Sequence, residues 1–201
     1  MPFNDFTIGK IQEDFGLEFI EDQDLFSQIK EIEISSILIE ELEFKVPIAL
    51  AINTEKARSE LIISDILIEV KRILKNRISL FSGINFDVDR EKNLTGYCDF
   101  IISKSPEQFF LKSPIITIVE AKNEKIPLGI GQCIAEMIGA KLFNEKSSNP
   151  IKTIYGAVTT GNIWKFLKYE DKNIYVDKKE YHINFPGKIV GILVEMANEN
   201  V

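Results

Sequence analysis

Ile115-Ile116-Thr117-Ile118-Val119-Glu120-Ala121-Lys122 is apolar on both faces until it ends in Glu120 and Lys122. A run of this kind reads as a central strand of a sheet that is covered by other layers on both sides. Side chains two apart on a strand share a face, so Glu120 and Lys122 point the same way. A charge left in a core costs on the order of several kcal/mol unless it is paired or bound to a metal. The end of this strand is therefore the first place to look for chemistry.

Working outward toward the N-terminus, Ile78–Val88 and Leu94–Ser103 show period-two patterning on either side of the polar turn Asp89-Arg90-Glu91-Lys92-Asn93. They predict two antiparallel strands, with Asp99 the only charge in Thr95-Gly96-Tyr97-Cys98-Asp99-Phe100-Ile101-Ile102. If the three strands form a meander, Asp99 and Glu120 converge. Two carboxylates are a hard-oxygen donor set suited to Mg²⁺ or Mn²⁺. Before the meander, Thr54 is an N-cap candidate. Ile62, Ile63, Ile66, Leu67, Val70 and Leu74 then give one broad apolar helical face to about Asn76. The basic cluster Lys71, Arg72, Lys75 and Arg77 suits a solvated helix C-terminus.

Beyond the central strand, residues 127–144 predict a crossover helix that starts near Pro127 and buries Ile130, Ile134, Met137, Ile138 and Leu142. Strands follow over Ile151–Val158 and Trp164–Tyr169, joined by a turn at Gly161-Asn162, and a last helix over about 187–198. Helix, meander, crossover helix and strands in this order indicate layered α/β architecture, a mixed central sheet flanked by helices.

Composition bounds the rest. At 201 residues, 45% apolar and 27% charged, the chain suits one ordinary domain with an N-terminal extension. Residues 1–52 read as that extension, small, acidic and mostly helical, with 53–201 as the main domain. In it we expect a helix over 6–15 closed by Gly16, a short strand near Leu17–Ile20, and a helix over about 36–51 that Pro47 disturbs. The net charge of −7 is uneven. Residues 1–44 hold 12 acidic and two basic residues, giving −10, and the remainder is +3. Nucleic-acid binding on such a chain is expected to be local and salt-sensitive. No stretch approaches the roughly 18 uninterrupted apolar residues of a membrane span. The start Met-Pro-Phe-Asn-Asp-Phe lacks the pattern of a secretory signal, so a cytoplasmic location without membrane contact is expected. Cys98 and Cys133 sit in no metal-ligand spacing and read as reduced thiols. His182, the only histidine, is not expected to be a catalytic base, and Gly129-x-Gly131 is too short for a dinucleotide fingerprint.

On these residues the chain resembles the PD-(D/E)XK nuclease superfamily. The motif elements are Glu60 in Ala57-Arg58-Ser59-Glu60, Asp99 in Gly96-x-x-Asp99, Glu120-Ala121-Lys122, and Gly131-Gln132 opening the next helix. The resemblance covers about residues 53–170 and is nearest to nuclease domains at the start of type I restriction subunits and to stand-alone cyanobacterial-type members. It implies a restriction-endonuclease-like core and a Mg²⁺- or Mn²⁺-dependent endonuclease acting on DNA and leaving 5′-phosphate ends. Glu60, Asp99 and Glu120 would hold the metal, Lys122 would orient the attacking water, and Gln132 would contact the scissile phosphate or that water. One departure stands out: exonuclease-like members carry Tyr four residues after the Gln, and here that position is Glu136. RNA as substrate, a homodimer, and a catalytically silent interaction module on the same fold are the further expectations the resemblance leaves open.

Overall fold

The computed structural model describes residues 2–199. Its centre is an eight-stranded mixed sheet flanked by helices on both faces. The strands are β1 (Glu18–Ile20), β2 (Ser79–Asn85), β3 (Tyr97–Ser103), β4 (Ile115–Ala121), β5 (Thr153–Thr159), β6 (Ile163–Glu170), β7 (Asn173–Val176) and β8 (Tyr181–His182). They lie in the order β1-β7-β6-β5-β4-β3-β2, with β8 pairing β6. The meander β2-β3-β4 is antiparallel as expected, and β4 is buried along its whole length. β4 and β5 are parallel, which a tight turn cannot produce, and the crossover between them is α5 (Ile126–Lys146). Among the described residues α5 is the one helix long and apolar enough by composition to cross a bilayer, and most of it is buried inside the protein.

α5 covers one face together with α1 (Ile8–Phe15), packing Cys133, Ile134, Met137 and Ala140 over Ile118, Val158 and Leu167. The other face is covered by α2 (Ser36–Ile52), α4 (Ser64–Leu74) and α6 (Pro186–Glu199). Asn144 ties α5 to the sheet at its far end. Its amide accepts from Ile115 N at 2.7 Å and donates to Ile115 O at 2.8 Å, both within the core.

The segment expected as an extension over residues 1–52 is woven into these layers. Phe3, Phe6 and Ile11 are buried against α5, β1 extends the sheet by pairing with β7, and Leu38, Leu42 and Ala49 of α2 enter the opposite core. Gly131 marks how closely the N-terminal segment approaches, since a Cβ there would lie 2.3 Å from Phe6 O. α2 runs through Pro47, whose missing N–H leaves the Glu43 carbonyl without its helical donor on a face open to water. β7 has no counterpart in the sequence reading, because four residues are too few for alternation to stand out.

The helix expected from Thr54 is capped as predicted, Thr54 Oγ1 accepting from Ala57 N at 3.1 Å. It is not a uniform α-helix. α3 (Glu55–Arg58) passes into a wide π turn over Ser59–Ile63 before α4 begins. The burial pattern shows the inserted residue. Ala57 and Arg58 are buried, then Ile62 and Ile63 five positions on, and thereafter Ile66, Leu67 and Val70 at ordinary spacing. A π turn takes up one extra residue and pushes it outward. Residues 59–61 are the part that swings away from the core.

Candidate active site

The regular pairing of β3 with β4 ends at Phe100↔Val119. Past that pair the strands splay, and the Asp99 side chain takes the place of a ladder carbonyl, its Oδ2 accepting from Ala121 N at 2.8 Å. Asp99 is thereby held beside Glu120, which is almost fully buried on the α5 face. Lys122 follows on the same face, as period two requires. Its backbone N–H is fixed to Thr159 O at 2.8 Å, and its ammonium donates to Glu120 Oε1.

The crossover helix supplies the opposite wall. Gln132 Oε1 accepts from Lys122 Nζ at 3.3 Å, and Gln132 Nε2 donates to Glu136 Oε1 at 3.0 Å. Glu120, Lys122, Gln132 and Glu136 thus form one continuous polar chain from strand to helix. Gly129 makes the close approach possible, because a Cβ there would sit 2.7 Å from Val158 Cγ1 and 3.1 Å from Lys122 Cγ. The glycines of Gly129-x-Gly131 serve packing, as their short spacing suggests.

Of the five residues the sequence nominates, the structure brings together Asp99, Glu120, Lys122 and Gln132. Glu60 is the correction. It lies on the outward bulge of the π turn, its side chain 63% exposed and 3.8 Å from Lys56 Nζ. The carboxylate that the helix does direct at the site is Glu55, with Oε2 3.9 Å from Lys122 Nζ. Its position at the first turn after the Thr54 cap reads equally well as a residue complementing the helix dipole, which hid it. Glu136 was visible in the sequence as the only charge between Ile126 and Ala140, on a helix that is apolar on every side. His182 lies exposed in β8, its Nδ1 accepting from Asn184 N at 3.2 Å. Both cysteines are free and buried, and burial pushes their thiols up.

The electrostatics of the cluster are unbalanced. Burial, reinforced by the charge of Asp99, pushes the Glu120 carboxyl up to about 8 against the pull of Lys122. Burial and the neighbouring Glu120 drive Glu136 well above the usual carboxylate range. Glu55 is raised by burial and by Asp99, with Lys122 opposing. For Lys122 burial disfavours the ammonium, but Glu120, Glu55 and Asp99 outweigh it and hold its pKa up. One lysine serves four acids. The second oxygens, Glu120 Oε2 and Glu136 Oε2, are buried and have no hydrogen-bond partner among the described residues. Buried polar atoms of this kind are rare and call for a ligand or a proton.

No family model, no curated protein and no solved structure matches this chain. The site is read from its own geometry.

The donor set fits a hard divalent cation in chemistry, with carboxylates from two strands, Asp99 and Glu120, and Glu120 Oε2 buried and unpartnered among the described residues. Among the described residues no three carboxylate, imidazole or thiolate groups already stand at ligand spacing. Asp99 and Glu120 are the residues that would hold such an ion, and Lys122 must release Glu120 Oε1 for both oxygens to face it.

Proposed function

We propose that this protein is a metal-dependent phosphodiesterase, an endonuclease of the PD-(D/E)XK type acting on DNA. The observation that carries the reading is the splay of β3 from β4, which sets Asp99 against the Glu120-Ala121-Lys122 end of a buried strand. Helix, antiparallel meander, crossover helix and parallel strand follow in the order that the resemblance implies, which supports the same reading.

The chain's own residues divide the work. Asp99 and Glu120 would hold a Mg²⁺ or Mn²⁺ ion. That ion, when bound, supplies a hydrolytic water at neutral pH and offsets charge on the phosphate. Lys122 swings from Glu120 to orient the attacking water and to stabilise negative charge developing on the phosphate oxygens. Gln132, anchored by Glu136, holds the Lys122 amine in reach and offers its amide to the scissile phosphate. Glu55 limits how far the amine can leave the site.

A plasmid-nicking assay in Mn²⁺ tests this. Wild type is expected to convert supercoiled to open-circular DNA, and Glu120→Gln and Lys122→Met each to lower the rate by about 100-fold or more. Equal cleavage by all three would assign the activity to a contaminant. A second reading, a catalytically silent module that binds protein or nucleic acid, is favoured by the closed Lys122–Glu120 pair and the lack of a preassembled ligand set among the described residues. It predicts no cleavage by any form.

A further inference from the structure

Arg58 is a buried cation whose hydrogen-bond acceptors are all neutral. Its guanidinium donates from Nη1 to Thr160 O at 2.6 Å and to Asn162 Oδ1 at 2.9 Å, and from Nη2 to Asn53 Oδ1 at 2.9 Å. Its Nε is buried with no partner among the described residues. A charge held in this way is a poor means of stabilising a core, where a well-packed apolar side chain of like size often does as well or better. What the guanidinium adds is a rigid fork that grips two segments at once.

The segments it grips lie on either side of the candidate site. Asn53 ends α2 in the left-handed conformation, at φ 54°, and Thr54 next to it caps α3. Thr160 and Asn162 belong to the turn between β5 and β6. That turn meets the helix a second time, since a Cβ on Gly161 would lie 3.1 Å from Ile62 Cδ1. Two consecutive carbonyls where β5 ends then join the halves of the site. Thr159 O accepts from Lys122 N at 2.8 Å, and Thr160 O accepts from Arg58. Glu55 stands one turn before Arg58 on the same side of the helix, its Oε2 3.9 Å from Lys122 Nζ.

We infer that Arg58 is a positioning residue: by clamping α3 to the Thr159–Thr160 peptide, it sets how far the Glu55 carboxylate stands from the Lys122 amine. Glu55 limits the travel of that amine, so a loosened clamp lets Lys122 drift from the water it orients. This kinetic consequence rests on the nuclease reading above, whereas the spacing of Glu55 and Lys122 does not. Lysine cannot replace the fork, because a point charge on a flexible stem cannot hold Asn53 and the β5–β6 turn together.

Carbodiimide coupling, which joins a carboxylate to an amine in contact with it, reads the spacing on the full chain. In wild type, mass spectrometry is expected to find Glu55 joined to Lys122. It should also find Asp65 joined to Lys45, 3.0 Å apart between α2 and α4, as a control for the intact fold. Arg58→Lys is expected to lose the first link and Asn162→Ala to diminish it, with the control kept in both. In the plasmid assay the same variants should lower kcat by about 10- to 100-fold at unchanged KM, the split left by a misplaced group rather than by weakened binding. Asn162→Ala removes only one of the three acceptors, so it decides the matter if Arg58→Lys fails to fold. The absence of a Glu55–Lys122 link in wild type, a link undiminished in either folded variant, equal loss of both links, or full kcat in a variant without the link would each overturn the inference. A wild type that forms the link yet leaves plasmid intact sinks the nuclease reading alone.

Discussion

Glu120 and Glu136 approach each other from strand and helix, each carrying one buried carboxylate oxygen that no donor among the described residues reaches. Lys122 and Gln132 bridge their other oxygens. Burying these carboxylates costs stability, which pH and metal can probe.

The first concerns pH. The Glu120 carboxyl moves from 4.5 to about 8 on folding, and Glu136 shifts in the same direction. Between those values the unfolded chain has lost a proton that the folded chain keeps. The contribution is therefore fully present below about pH 4.5 and fades as pH rises through about 8. In EDTA the melting temperature should fall from about pH 5 to about pH 8, and more steeply for wild type than for Glu120→Gln. Identical slopes would mean that Asp99, Lys122, Glu55 and Glu136 already compensate the charge.

Metal should reverse that penalty. Mn²⁺ at about 100 times its dissociation constant is expected to stabilise the fold by about 2.7 kcal/mol. Asp99→Asn and Glu120→Gln should abolish the gain, while Glu60→Ala should retain it because Glu60 stands outside the cluster. A loss on Glu60→Ala would restore that residue to the metal shell. Differential scanning fluorimetry reads both.

Glycine contacts can be tested by adding one methyl group. Gly131→Ala would place its Cβ 2.3 Å from Phe6 O and 2.9 Å from Thr7 Cα, both backbone atoms. Overpacking of this kind costs about 1–3 kcal/mol, and here it should also loosen residues 3–15 in amide exchange. Gly129→Ala presses instead on Val158 and the Lys122 stem. It should lower any nuclease rate more than its effect on stability explains.

Asn144→Leu removes both partners of the Ile115 backbone inside the core. Leaving those groups unsatisfied should cost about 1–3 kcal/mol apiece, visible as a lower urea midpoint with unchanged m.

Local patterning carried much of this in the linear chain. The doubly apolar run before Glu120 announced a central strand, period two put Lys122 beside it, and a lone Asp99 in an apolar strand pointed to the same centre. The Thr54 cap, the crossover helix and the α/β layering followed from periodicity and turn residues. These features are short-range, so neighbouring residues are enough to specify them.

Glu60, Glu55 and Glu136 were decided by packing. A single residue inserted in the π turn rotates Glu60 out to solvent, and no local propensity encodes where a helix will take up such an insertion. Whether Glu55 caps a dipole or meets a lysine depends on where Lys122 ends, about 67 positions further along. Glu136 gains its meaning only when α5 crosses over β4 and buries it against Glu120. The sequence by itself determined which residues could be buried and which way each faced within its own element; tertiary structure decided which of them meet, because convergence depends on the phase and approach of elements distant along the chain.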